Sequence, residues 1–502
     1  MSLNRRLFSA SALNLADYVL KIGVVLVVSP FLIGRLGKEE YGLWVLLLSV
    51  IGYLDLLDLG FNQTAVRYLS REIANADRQA IIFDHFRRLY RRIALLALGL
   101  TVVTLLVLPL FLQGPSLEKT RDVLGLGGLM VSGSYFLRVY STLLKSHVLY
   151  HKLIIAGMVR LLVYTALMIA VLWRGGGLVE LALAWVAGIV VELMMIGWQA
   201  RSLVPRRTNS TERLTGLERD EINGFAAKTF GGVAASFMRE RVDTQVLAGS
   251  LGNVAVTHYA VGARLISMFT DVVNALFGGH FLAAFAQLHA ESGPGVATRL
   301  LLTTLRMSAP LALAGGITIF LLGPAFIDCW LGGGFEESHQ VIRILAFPVA
   351  LVLMQYPVGP YLGSMNRHGI LATISLVGGG LNLVGSLLLV RWVGFEGVVI
   401  ATAAELLLTG LVMWPWMLGR AGDVPPRQYY AVLLRPVLVL LPVALLGGWF
   451  LVQYGQPQSF PQLHFKAILH HGIMIGLAWL WLFRSEEKRW LLARLWKAPP
   501  QS

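Results

Sequence analysis

The sequence predicts an all-α integral membrane protein of about fourteen membrane-spanning helices, and three observations predict it. Of its 502 residues, 56% are hydrophobic and only 14% charged, with a mean hydropathy of +0.67. A soluble domain carries roughly 25% charged residues. Apolar runs of the ~20 residues needed to cross a bilayer recur along the whole chain. Lysine and arginine are also sorted: of 42, 26 lie in one set of connecting segments, 7 in the alternate set and 9 inside the spans.

In chain order the predicted spans are 10–33, 41–59, 93–112, 122–144, 153–173, 178–199, 223–250, 255–285, 300–326, 340–365, 370–390, 395–418, 432–452 and 466–483. The first follows Arg5 and Arg6, has no small-residue cleavage site, and is read as a retained span instead of a signal peptide. The second is expected to continue into the cytoplasm through Phe61–Glu72, whose arginines would anchor anionic lipid head groups. The basic segments begin with the N-terminus and the arginines between 67 and 92. They continue through Lys145, Lys152, the 200–222 linker and the tail beyond Arg484. The positive-inside rule puts these segments, and both termini, in the cytoplasm, as an even number of spans requires.

The formal charge of +14 punctuates apolar runs and forms no basic face on a soluble domain, which argues against nucleic acid as a partner. One cysteine, Cys329, leaves no intramolecular disulfide and no cysteine-rich metal site.

The seventh span carries Arg239, Glu240, Arg241 and Asp243 near its middle. Charges in hydrocarbon cost a few kcal/mol each, so they must face protein or a wet cavity. At 100° per residue, Asp243 and Arg239 share a face with Lys228, while Arg241 points nearly opposite. One face is expected to meet a lumen and the other an interhelical partner. Arg138, Arg160 and Arg264 are further cations within spans; Glu192 and Asp243 are available carboxylates. Asp17 and Lys21 sit at the i,i+4 spacing that favours pairing, as a gate, an ion-coupling site or a local pair.

Gly34–Trp44 and Gly249–Gly262 resemble each other: each has Leu-Gly, a short gap and a Tyr opening the next span. Their offset of about 215 residues equals six spans, the mark of a parallel repeat about an axis along the membrane normal. The expected domains are an N-lobe over 1–200, a cytoplasmic linker at 201–222, a C-lobe over 223–420, and two appended helices with a basic tail over 421–502.

On Pro30–Trp44, Asp58–Phe61, Arg241–Gly252 and Tyr259, the chain resembles the polysaccharide-biosynthesis branch of the multidrug/oligosaccharidyl-lipid/polysaccharide exporter superfamily, the Wzx-type O-antigen and exopolysaccharide flippases. The resemblance implies two six-helix lobes plus two helices in a bacterial cytoplasmic (inner) membrane. It implies alternating-access translocation of undecaprenyl-pyrophosphate-linked oligosaccharides through a cationic central cavity, with no enzymatic step and no cofactor. Related members couple transport to a proton, sodium or membrane-potential gradient. Partners would be the lipid-linked oligosaccharide, anionic lipids and polysaccharide polymerase or chain-length machinery.

Arginine suits such a cargo, because its planar fork donates bidentate hydrogen bonds to phosphate and stays charged. Arg138, Arg160, Arg239, Arg241 and Arg264 are therefore the candidate substrate-binding residues. Asp17, Lys21, Asp243 and Glu192 are the candidates for ion coupling or gating. A peptidoglycan-precursor flippase or a multidrug exporter of the same superfamily is the alternative. A membrane glycosyltransferase or polymerase would need acidic extracytoplasmic loops or a metal motif. Asp328–Glu337 is the one such loop of note, and no metal-ligand spacing occurs.

Overall fold

The computed structural model describes residues 3–482, 485 and 488, except 111–112, 206–213, 278, 366, 421–423, 454 and 456. For some residues within helices, Lys228 and Arg239 among them, only the backbone is described. Every regular element among the described residues is helical. The chain divides into two units, Met1–Phe237 and Met238–Ser502.

The first unit holds α1 (Leu3–Gly52), α2 (Phe61–Arg71), α3 (Ala76–Val107), α4 (Pro115–Ser146), α5 (Tyr150–Trp173) and α6 (Leu178–Ala200). The boundary falls inside α7 (Gly216–Leu251). The second unit continues with α8 (Asn253–Phe277), α9 (Gly279–Ser292), α10 (Pro294–Leu331), α11 (Glu336–Leu353), α12 (Val358–Ser364) and α13 (His368–Val393). It ends with α14 (Phe395–Leu408), α15 (Trp414–Arg420), α16 (Pro426–Gln453) and α17 (Phe460–Trp481). A π-helical turn, Thr409–Met413, joins α14 to α15.

Helix occupies each predicted span. Ten helical stretches among the described residues are long and apolar enough to cross a membrane, and the protein is a multi-pass membrane protein. One of these stretches, Ala16–Asp58, covers most of both of the first two predicted spans. Gly37, at φ 78° and ψ 166°, breaks α1 between them. The predicted tenth span divides into α11 and α12 at Pro357, whose fixed φ and missing N–H interrupt the ladder.

The expected continuation of the second span into the cytoplasm does not occur as one helix. After Gly52 the chain tightens into a 3-10 turn, Tyr53–Asp58, and Leu59 (φ 48°) and Gly60 (φ 75°) then adopt left-handed conformations. The helix restarts as α2 because the Asp58 carboxylate accepts the Asn62 N–H at 3.0 Å, neutralising a donor that a new helix start leaves unpaired. Asp58 thus caps the helix that follows it.

Within the first unit α3 packs on α4, α5 on α6, and α4 on α6. Within the second, α10 packs on α11, α13 on α14, and α11 on α14. In each unit these are the third and fourth, fifth and sixth, and fourth and sixth predicted spans. The last two helices, α16 and α17, pack on α10. Close approach of α10 to α11 depends on Gly316, where a Cβ would collide with Ala350.

Candidate functional site

Asp243 lies in the last third of α7 and is 4% exposed. Its Oδ2 accepts hydrogen bonds from the Tyr259 hydroxyl of α8 at 2.5 Å and the Thr402 hydroxyl of α14 at 2.8 Å. Its Oδ1 accepts the Asn382 amide at 3.0 Å and the Ser386 hydroxyl at 3.4 Å, both from α13. Among the described residues no cation stands within ion-pair distance of it, so four neutral donors hold a buried carboxylate. Asn382 Oδ1 accepts in turn from Ser386 and Thr402, each at 3.2 Å. Thr402 also donates to the Val398 carbonyl at 3.2 Å. Carboxylate, amide, hydroxyl and carbonyl oxygens thus gather where four helices meet. Such a set suits a proton or a hard monovalent cation, since hard cations take oxygen ligands. The Asp243 face of α7 is therefore the one that meets interhelical partners. Glu405, one turn beyond Thr402 on α14, is likewise buried and accepts the Thr409 hydroxyl at 3.3 Å.

In the first unit Arg138 of α4 reaches the 3-10 turn. Its guanidinium stands 2.9 Å from Asp55 and 3.5 Å from Asp58, with its carbon 4.6 Å from the Tyr135 ring centroid. Tyr90 donates to Asp58 at 3.3 Å, Tyr135 to the Leu54 carbonyl at 2.8 Å, and Lys145 to Asn62 at 3.3 Å. The structure makes Arg138 the clamp of the break between α1 and α2.

Arg160 of α5 uses Nε towards Glu192 of α6 at 3.2 Å and keeps 40% of its side chain exposed. Asp17 and Lys21 pair locally on α1 at 2.6 Å, with Lys21 more than half exposed. Arg241 is half-buried. Arg264 of α8 is exposed and has no ion-pair partner among the described residues. The side chain of Arg239 lies outside the described residues.

The structure thus brings together Arg138 with Asp55 and Asp58, Arg160 with Glu192, and Asp17 with Lys21. The partners of Asp243 escaped sequence reasoning. Their signal was present as Asn382 and Ser386 at i,i+4, and Thr402, lone polar residues inside apolar runs.

The fold is one shared with membrane transporters. Lipid II flippase MurJ in an inward closed conformation aligns over 96% of this chain and 99% of its own length, with a TM-score of 0.68 at 11% identity. An inward-facing multidrug resistance MATE family transporter of the MOP superfamily aligns over 84% of this chain and 98% of its own, with a TM-score of 0.62 at 14% identity. The sequence gives the narrower placing. Residues 33–340 match the polysaccharide biosynthesis protein family, and the chain belongs to that family. Over 455 residues it is 20% identical to the uncharacterized membrane protein EpsK of Bacillus subtilis (strain 168), across 84% of this chain and 85% of EpsK.

Proposed function

We propose that the protein is a flippase that moves undecaprenyl-pyrophosphate-linked oligosaccharide repeat units across the bacterial cytoplasmic membrane by alternating access, without enzymatic chemistry. The observation that carries this reading is Arg160. It is the eleventh residue of the 24-residue α5, and it is tied to Glu192 through Nε while much of its side chain stays accessible. A guanidinium held halfway along an apolar helix, still two-fifths exposed beside its carboxylate partner, suits a phosphate met inside the membrane. Membership of the polysaccharide biosynthesis family supports a glycan on that phosphate.

Energy input is proposed at Asp243. Binding of a proton or sodium ion among the Asp243, Asn382, Ser386 and Thr402 oxygens would change which of the α7, α8, α13 and α14 contacts are satisfied. Transport would then respond to the ion gradient.

Leaflet translocation in proteoliposomes tests the function. Undecaprenyl-pyrophosphate oligosaccharide is expected to cross, and Arg160→Ala to slow it by about tenfold, the loss of one good phosphate contact. Drug efflux with no movement of any pyrophosphate lipid would overturn the reading. Transport restricted to the lipid-linked peptidoglycan precursor would replace the proposed cargo with that one.

A further inference from the structure

A cavity of about 560 Å³ opens where α10 ends, between α10, the start of α11 and the α16–α17 connection. Its inner wall is apolar, with Phe320 and Pro324; its rim is polar, with Asp328, His339 and Gln458; Arg343 lines the wall between them. Phe320 lies eleven residues before the end of α10, roughly 16 Å at 1.5 Å per residue. Arg343 is the eighth residue of α11, about 10 Å below its start. Both belong to stretches apolar enough to cross the membrane, Gly295–Leu331 and Glu336–Ser364. The cavity therefore spans the level at which hydrocarbon gives way to lipid head groups.

Its charges are unevenly matched. His339 Nε2 lies 2.9 Å from Asp328 Oδ1, which places the rim carboxylate beside an imidazole. Arg343 is exposed and has no hydrogen-bonding or ion-pair partner among the described residues. A guanidinium at that depth is unfavourable unless an anion meets it or it reaches the interface. A phosphate ester would meet it through the bidentate fork. The Gln458 amide can bond the remainder of a head group, while Phe320 and Pro324 cover the first methylenes of a chain.

We propose that this cavity binds the phosphate head of an anionic membrane lipid, one with no head-group cation to compete with Arg343, in the extracytoplasmic leaflet under the orientation the basic loops predict. The shared chemistry is a lipid-borne phosphate, whether on a bulk phospholipid or on a polyprenyl carrier. Among the described residues the cavity is lined by none of the arginines proposed for cargo, so it does not rest on the identity of the transported glycan.

Native mass spectrometry of the full-length protein from nanodiscs of phosphatidylcholine and phosphatidylglycerol tests it. Phosphatidylglycerol is expected to be retained about tenfold over its share of the bilayer. Arg343→Gln should abolish that preference and Arg343→Lys keep part of it, whereas Arg391→Gln, at another exposed arginine, should change nothing. Equal retention of the two lipids, or an Arg343→Gln protein that retains lipid as the parent does, overturns the proposal.

Cys329 also lines the cavity and supplies a readout without mutation. Its modification by maleimide should slow severalfold with phosphatidylglycerol relative to phosphatidylcholine, and unchanged labelling counts against the site. Titrated polyprenyl monophosphate then assigns the source. Displacement of phosphatidylglycerol points to the carrier lipid and persistence to bulk phospholipid, and both uphold a lipid-phosphate site.

Discussion

Asp243 shows how a charge survives inside this bundle. Burying a carboxylate costs several kcal/mol, and hydrogen bonds to a charged group return about 1.5–3 kcal/mol each. Four donors from α8, α13 and α14 are enough to hold it without a cation. A site built only for stability would not need the charge, because an amide fits the same space. Asp243→Asn is therefore expected to fold with a melting temperature within a few degrees of the parent. It should transport at least about tenfold more slowly, and its residual rate should no longer depend on sodium or external pH. Wild-type ion dependence in that variant would reject Asp243 as the coupling group. Thr402→Val removes one ligand oxygen and leaves the carboxylate in place. It should weaken the apparent affinity for the coupling ion by about tenfold, the worth of one hydrogen bond to a charged group. Arg138 illustrates the other solution, a cation shared by two carboxylates and laid over an aromatic face. Its position ties it to the shape of the 53–60 turn more closely than to a mobile cargo.

At the scale of elements, packing depends on which glycines lack room. Gly316 of α10 leaves no space for a Cβ against Ala350 of α11, whereas Gly380 of α13 has no neighbouring atom within 4 Å of such a Cβ. Gly316→Val should lower stability by about 1–3 kcal/mol through overpacking and helix separation. Gly380→Ala should be neutral or stabilising by up to about 1 kcal/mol, because alanine is the better helix former. Thermal unfolding in detergent measures both, and equal shifts would disprove the packing argument. The apolar helices themselves were legible in the sequence, since the ~20-residue crossing length is imposed by the bilayer and not by neighbouring chain. The breaks were less so. The turn at 53–58 is held by Arg138 and Tyr135, about eighty residues away. For the same reason the charge of Asp243 was visible, while Asn382 and Thr402, 139 and 159 residues further on, were not matched to it. Local periodicity carries no information about such partners.

At the scale of the whole molecule, the sorting of basic residues makes a prediction that the single cysteine can test. If both termini are cytoplasmic, α10 ends on the extracytoplasmic side, as does the α16–α17 connection. The structure is consistent with that within the second unit: Pro457 and Gln458 line the same cavity as Asp328 and Cys329, and the Cys329 thiol points to the Pro457 carbonyl. Cys329 is only partly covered, so a membrane-impermeant maleimide added to intact spheroplasts should label it. In a Cys329→Ala background, Ser202→Cys places a thiol in the exposed turn after α6, within the basic linker. That thiol should react only after the membrane is permeabilised. The bias of 26 against 7 cations should also govern orientation causally. Neutralising the arginines among 87–92 should then increase the share of molecules whose Cys329 is hidden from outside. Labelling of Ser202→Cys from outside and of Cys329 only from inside would invert the topology. The phosphate cavity would then face the leaflet from which cargo departs, and its lipid would have to be a cytoplasmic one.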